Sequence, residues 1–381
     1  MKEIYLDNAA TTPVDKKIVE AMIPYFTKEY GNASSQHLKG QEAKRALEQA
    51  RDTIAKSISA KSEEIIFTSG GTESNNLTLK GLYFQNKKTG KNHIITTKIE
   101  HDCILNASKW LEKQGAQVTY LDVDEEGFIN LEQLKNSIKE NTLLVSVIHG
   151  NNEIGTIQDL ETIGKICREK QVYFHTDACQ SYTKTKLNVK KQNLDLVTLN
   201  AHKIHGPKGV GALYIRKGIK ITPLLHGGGH EKGIRSGTEN IPGIIGFAKA
   251  VQLAKTKHNK QMQKLRDKLI NGILQIENTQ LNGPHENRLC NNINICFNNI
   301  EGESIGGYLE AHGICSSTGS ACSSHTLEPS HVLKAIGKTP LQANSSIRLS
   351  LSRLNTEQEI NKVLETLPNI VNKLRKISPF K

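Results

Sequence analysis

One lysine lies between two histidines in the stretch "LDLVTLNAHKIHGPKGVGALYIRK", residues 194–217. Most lysines are solvated charges, but this one sits in a turn between two short apolar, β-branched runs, 195–199 and 211–215. Two glycines and a proline in "NAHKIHGPKG" suit a tight, irregular path. Lys203 is therefore expected just past a strand end, where open α/β sheets gather ligand-binding groups, and an amine held there can form a Schiff base.

Two further signals fit that chemistry. "FTSGGTESNN" reads as a strand, a Gly-Gly turn and a helix start at Thr72, whose backbone N–H groups and dipole suit a phosphate, although ordinary capping looks the same. "HTDACQ" puts Asp177 at a strand end with Gln180 three residues on, a pattern shared with ordinary turn acids. A lysine for an aldehyde, an acid for a ring nitrogen and a cradle for a phosphate are what pyridoxal 5'-phosphate requires.

The elements that must position these groups alternate along the chain. Helical spacing over 16–30, 41–58, 72–85, 103–115, 130–139 and 159–170 is interleaved with strand-like runs at 63–69, 93–97, 117–123, 142–150 and 172–178. This alternation predicts an α/β fold with a largely parallel sheet covered on both faces. A long helical pattern over 244–274, then strands at 291–297 and 346–352, predicts a smaller α+β domain.

The chain has 381 residues, enough for two domains, and no run approaching a membrane span. Its start has no apolar signal-like region, so a soluble cytoplasmic protein is expected. The net charge is +12, from 50 basic and 38 acidic residues. The basic residues are dispersed among acids, and the densest cluster, 255–268, reads as a solvated helix face, so direct nucleic-acid binding is not implied. The seven cysteines are scattered without a CxxC pair, which argues against a zinc ribbon or a disulfide scaffold. Six read as small buried hydrophobes. Cys322 differs, because "CSSTGSACSSHT" is a run of small polar residues and predicts an exposed, reactive thiol.

"YLDNAATTPVD", "TSGGTESNN", "EHDCIL", "GNNEIGTIQD", "HTDACQ", "AHKIHGPKGVGALY", "HGGGHEKGIRSGTEN", "STGSACSSHTLEPSHVL" and "SSIRLSLSR" together resemble the cysteine desulfurases of the NifS/IscS branch, among the class V aminotransferase-like, fold-type I pyridoxal-phosphate enzymes. The resemblance runs in order from residue 4 to about residue 360. It implies a seven-stranded large domain over 16–250, with 1–15 and 251–381 forming the small domain. It also implies a homodimer, and conversion of L-cysteine to L-alanine with the sulfur left as an enzyme persulfide for an acceptor such as an iron–sulfur scaffold protein.

Carried onto this chain, the resemblance makes Lys203 the Schiff-base lysine, Asp177 the partner of the ring nitrogen and His101 the residue stacked on the ring. Gly71, Thr72 and His202 match phosphate-binding positions, and Thr238 a phosphate ligand given to the neighbouring subunit. Asn152 and Gln180 match groups beside the ring oxygen and substrate, Arg348 the substrate-carboxylate arginine, and Cys322 the sulfur-accepting thiol, with Cys315 its nearest competitor. No metal is implied. Asn200 stands where the family usually has serine, and is kept as a cofactor contact. The chain ends at "RKISPFK", short of the tail of IscS-like members, which points to a NifS-like form. A selenocysteine lyase, a class V aminotransferase and a non-enzymatic basic scaffold are the alternatives.

Overall fold

The computed structural model describes residues 3–318 and 328–379. Its twelve strands among those residues are β1 (Ile4–Tyr5), β2 (Ile65–Thr68), β3 (His93–Thr97), β4 (Gln117–Leu121), β5 (Thr142–Ser146), β6 (Tyr173–Asp177), β7 (Leu196–Asn200), β8 (Gly211–Ile215), β9 (Thr279–Leu281), β10 (Asn292–Phe297), β11 (Ile314–Cys315) and β12 (Ser346–Ser350).

Seven of them form one sheet in the order β2-β8-β7-β6-β5-β3-β4. Neighbouring strands are parallel from β7 through β4, and β8 alone runs against β7 and β2. Adjacent residues alternate between faces, so each strand feeds two cores. Phe67, Ile95, Val145, Phe174, Val197 and Ala212 meet Leu47, Ile54, Ile163 and Phe247 on one side. Their neighbours Ile66, Ile94, Leu144, Leu196 and Leu213 meet Leu77, Leu82, Ile104 and Leu111 on the other. Because both faces are covered, the strands read as continuous apolar runs rather than as alternations. Phe174 is fully buried, and truncating such a ring costs about 3–5 kcal/mol.

A further core joins Ile4 and Leu6 from the chain start to Leu265, Leu269, Ile295, Phe297, Leu349, Val363 and Leu367. It is built on the antiparallel sheet β12-β10-β9 and the parallel pair β1-β11.

Two expected helices are divided. The pattern over 16–30 gives Lys16–Met22 and Pro24–Thr27, because Pro24 has no N–H to continue the ladder. The pattern over 244–274 gives Ile241–Leu253 and Thr256–Ile273, parted where Ala254 and Lys255 turn extended.

The parallel strands all end on one edge of the sheet, with a reversal of strand order between β3 and β5. Loops from β2, β3, β5, β6 and β7 therefore converge there, at the kind of crevice where open α/β sheets bind ligands.

Candidate active site

At the end of β6 the buried Asp177 carboxylate accepts the Cys179 backbone N–H at 2.9 Å and the Asn75 amide at 2.6 Å. Asn75 is buried one turn into the helix Gly71–Asn86, and its amide also lies 3.1 Å from Cys103 Sγ. Asp177 is thus held in a fixed orientation, as an acid facing a ring nitrogen must be.

After β3 comes His101, the N-cap of the helix Asp102–Glu112. Its Nδ1 accepts the Cys103 backbone N–H at 3.2 Å and lies 3.1 Å from Cys103 Sγ. In the neutral ring the proton then sits on Nε2. Burial, reinforced by the positive charge of Lys203, holds His101 below its ordinary pKa and so in that neutral form. Just before it, Glu100 is fully buried, taking bonds from the Thr97 hydroxyl at 2.9 Å and the Ile148 N–H at 2.8 Å. Burial, with the Asp177 charge beyond it, pushes Glu100 up to about 8, so it is protonated at neutral pH.

Past β7 lies the turn that carries Lys203. His202 Nδ1 lies 3.2 Å from the Thr11 hydroxyl, and the His202 carbonyl accepts the Thr12 N–H at 3.0 Å. Burial and then Lys203 bring His202 down to about 4. The charges felt in common place Lys203 near His101, His202, Cys179 and Lys184. Gln180, buried on the Asp177 turn, donates its amide to the Ala9 carbonyl at 2.9 Å.

After β2, Gly70 caps the helix Gly71–Asn86 with no side-chain bond, which leaves the N–H groups of the first turn to a ligand. A Cβ on Gly71 would lie 2.6 Å from Cys179 Sγ, so only glycine fits there, and one on Gly211 would lie 2.7 Å from the Gly70 Cα. Asn200 borders this turn, its Nδ2 3.8 Å from the Cβ position on Gly71. The Asn200 side chain is buried and its Oδ1 has no hydrogen-bond partner. A half-turn of that amide presents N–H donors instead. An uncapped helix start, a side-chain-free glycine and an unsatisfied buried amide together fit a phosphate. Thr72 is exposed at the same helix start.

Arg348 comes from β12, in the second core, and is buried. Its guanidinium donates to Asp7 Oδ1 at 2.9 Å and to the Asn152 carbonyl at 3.2 Å. Arg348 and Asn152 are therefore neighbours, as a shared role at the substrate requires. Thr238 is exposed, in the loop tied to the helix start by the Arg235–Glu73 ion pair at 2.9 Å. Cys322 lies outside the described residues.

The model matching residues 4–363 is that of aminotransferase class-V. The chain belongs to this family. Among curated members, the cysteine desulfurase IscS of Methanosarcina thermophila is 52% identical over 382 residues, spanning all of this chain and 94% of its own length. The one of Dictyoglomus turgidum is 50% identical over 384 residues, spanning all of this chain and 97% of its own length. A solved NifS-like protein superposes with a TM-score of 0.92 at 40% identity, covering 98% of this chain and all of that one. SspA in complex with cysteine superposes with a TM-score of 0.84 at 37% identity, covering 93% of this chain and all of that one. These class V relatives carry the same fold, with both names of the desulfurase branch among them.

Sequence reasoning missed Asn75, Glu100, Cys103, Asp7 and Lys184. All but Lys184 lie inside quoted motifs, and for Asn75 the four-residue step from Gly71 along one helix face was the available signal. The expectation of six buried cysteines is corrected. Cys167, Cys179, Cys290 and Cys296 are buried, whereas Cys103 and Cys315 are half-buried, Cys103 because it faces the site and Cys315 because β11 is a two-residue edge strand.

Proposed function

We propose that this protein is a pyridoxal-phosphate-dependent cysteine desulfurase that converts L-cysteine to L-alanine and takes the sulfur onto Cys322. The observation that carries the reading is the convergence of Asp177, His101, the Lys203 turn and the uncapped Gly71 helix start on one sheet edge. Relatives named cysteine desulfurase at 52% and 50% identity, and the cysteine complex of a 37% identical structure, support the substrate.

The cofactor, when bound, supplies an electron sink for the substrate's α-carbon. Lys203 would hold its aldehyde carbon, Asp177 its ring nitrogen, and the helix start at Gly71 and Thr72, with Asn200 and His202, its phosphate. Arg348, already fixed by Asp7, would take the substrate carboxylate in its planar fork, beside Asn152. The Lys203 amine would be the base that takes the α-proton of the substrate. His101, neutral with its proton on Nε2, can donate a hydrogen bond on the cofactor side and exchange that proton. Gln180 closes the side facing the chain start. In the transfer itself the Cβ–S bond of cysteine breaks and an S–S bond to Cys322 forms. L-cysteine plus one thiol gives L-alanine plus one persulfide, with no external oxidant or reductant.

The reading extends to a cytoplasmic homodimer in which Thr238 reaches the neighbouring subunit's phosphate, to a sulfur-acceptor protein, and to a division into domains at residues 16–250 and 1–15 with 251–381. Among the described residues, no helix is long and apolar enough to cross a membrane.

The test is mass analysis after a brief exposure of loaded enzyme to L-cysteine. One added sulfur is expected on the Cys322 peptide, retained in Cys315→Ala, with alanine release lost in Cys322→Ala. Alanine release from Cys322→Ala at the wild-type rate would refute it, and a keto-acid-dependent amino transfer would identify an aminotransferase instead.

A further inference from the structure

A second lysine lies beneath the first. Lys184 is four residues beyond Gln180, in "CQSYTK". A lysine with a half-exposed stem ordinarily turns its charge to water. This one turns inward, donating to the Gln180 carbonyl at 2.8 Å and to the Lys203 carbonyl at 3.3 Å. One ammonium thereby clasps the Asp177 turn to the Lys203 turn. No carboxylate pairs with it among the described residues, and the groups whose charge it feels are Cys290, Cys179 and Lys203. Thr12, His205, His258, Asn259 and Arg353 share the small cavity behind it.

From this geometry we infer that Lys184 is a positioning residue whose unpaired ammonium holds the Lys203 turn and biases the Lys203 amine against protonation. The inference rests on the proposed role of Lys203 as the cofactor lysine. A cation close to a second amine disfavours charge on it, and a nucleophilic lysine must be neutral to act. The other groups that sense Lys203 are not cations at neutral pH. Burial keeps His101 and His202 below their ordinary range, and burial raises the Cys179 thiol well above its own. Lys184, lowered by burial only to about 8, still carries most of its charge.

The experiment is a pH titration of the visible absorption band of the full-length, cofactor-loaded enzyme, in wild type and in Lys184→Gln, Lys184→Arg and Lys184→Met. Removing the charge should raise the midpoint of Gln and Met by about half to one pH unit, three- to tenfold in proton affinity. Arg should stay near the wild type. Gln keeps N–H donors for the two carbonyls, so a purely structural clasp would leave its midpoint unchanged, and that result overturns the inference even if Met does not fold. A wild-type protein with no visible band, or a band that survives Lys203→Ala, signals instead that the cofactor reading has failed.

Discussion

Glu231 offers a direct test of how the glycine-rich loop is held beside the cofactor site. Its carboxylate takes two bonds from Arg51, both at 2.7 Å, and a third from the Phe67 N–H at 2.6 Å. Both side chains are almost fully enclosed, at 4% and 2% exposure. Phe67 belongs to β2, which leads into the Gly71 cradle, while Glu231 begins the segment that ends at Thr238. One carboxylate thus ties together the two segments proposed to hold the cofactor phosphate. Glu231→Ala leaves the buried guanidinium with only the half-exposed Glu48 carboxylate at 3.2 Å and takes the acceptor from the buried Phe67 N–H, which together cost about 3–5 kcal/mol. Over 381 residues the unfolding entropy is about 0.8 kcal/mol/K, so Tm should fall by about 4–6 °C. Replacing the pair together, as Arg51→Met with Glu231→Leu, should recover most of that loss, because the desolvation of both ions is removed as well. Calorimetry of wild type, single and double variants reads the effect, and cofactor retention after dialysis should fall in parallel as Thr238 loses its support. A Glu231→Ala protein melting within about 1 °C of wild type would refute this account of the loop.

Arg348→Lys should raise KM for L-cysteine with little change in the fold. The loss of a forked, charge-assisted pair of bonds is worth about 2–4 kcal/mol, roughly thirty- to a thousandfold in kcat/KM. Acid should destabilise the protein through histidines buried neutral. His175, fully buried between the Ser146 and Thr198 hydroxyls at 2.9 and 3.0 Å, is held at about 4 by burial. Between about pH 6.5 and 4 the unfolded chain takes a proton that the native one refuses, so stability falls with pH by about 1.4 kcal/mol per unit for this residue. Glu100, raised to about 8, works in the opposite sense between 4.5 and 8, where only the native state keeps its proton. His175→Gln should flatten the acid limb of a urea-denaturation series by about that slope, and an unchanged limb would remove the histidine from the account.

What was legible in the sequence followed from backbone periodicity. Asp177, Lys203 and Gly71 stand directly after apolar runs, so their place at strand ends needed only a correct strand assignment. The division at Pro24 was equally visible, but helical spacing of side chains on either side masked it. What was not legible depends on tertiary burial. Lys184 is one of 50 basic residues, and nothing local says that its ammonium turns inward. Glu100 and Asn75 owe their roles to the loops that enclose them, and Arg348 meets Asp7 across 341 residues of chain. Thr238 is exposed, and nothing in its own surroundings marks the role proposed for it, which would be legible only in the proposed dimer.

A desulfurase also has to keep sulfur from the wrong thiol, and the surroundings of the remaining cysteines do this by suppressing the thiolate. Burial pushes Cys103 up to about 12, with the neighbouring Asp177 charge adding to it, even though it stands beside His101. Burial raises Cys167, Cys179, Cys290 and Cys296 as well. Cys315, the nearest competitor in sequence, is raised by burial and then by the carboxylates of Glu3, Glu310 and Asp7. At pH 8 a thiol of pKa near 12 is ionised in only about one molecule in ten thousand, while an ordinary exposed cysteine is ionised to about a quarter. Brief treatment of the native protein with iodoacetamide at that pH should therefore label the Cys322 peptide first, at least a hundredfold ahead of Cys103. Pretreatment with L-cysteine should convert that same peptide to the persulfide adduct and leave the others untouched. Alkylation of Cys103 or Cys315 as fast as Cys322 would show that sulfur is directed by position alone and not by suppression of the competing thiols.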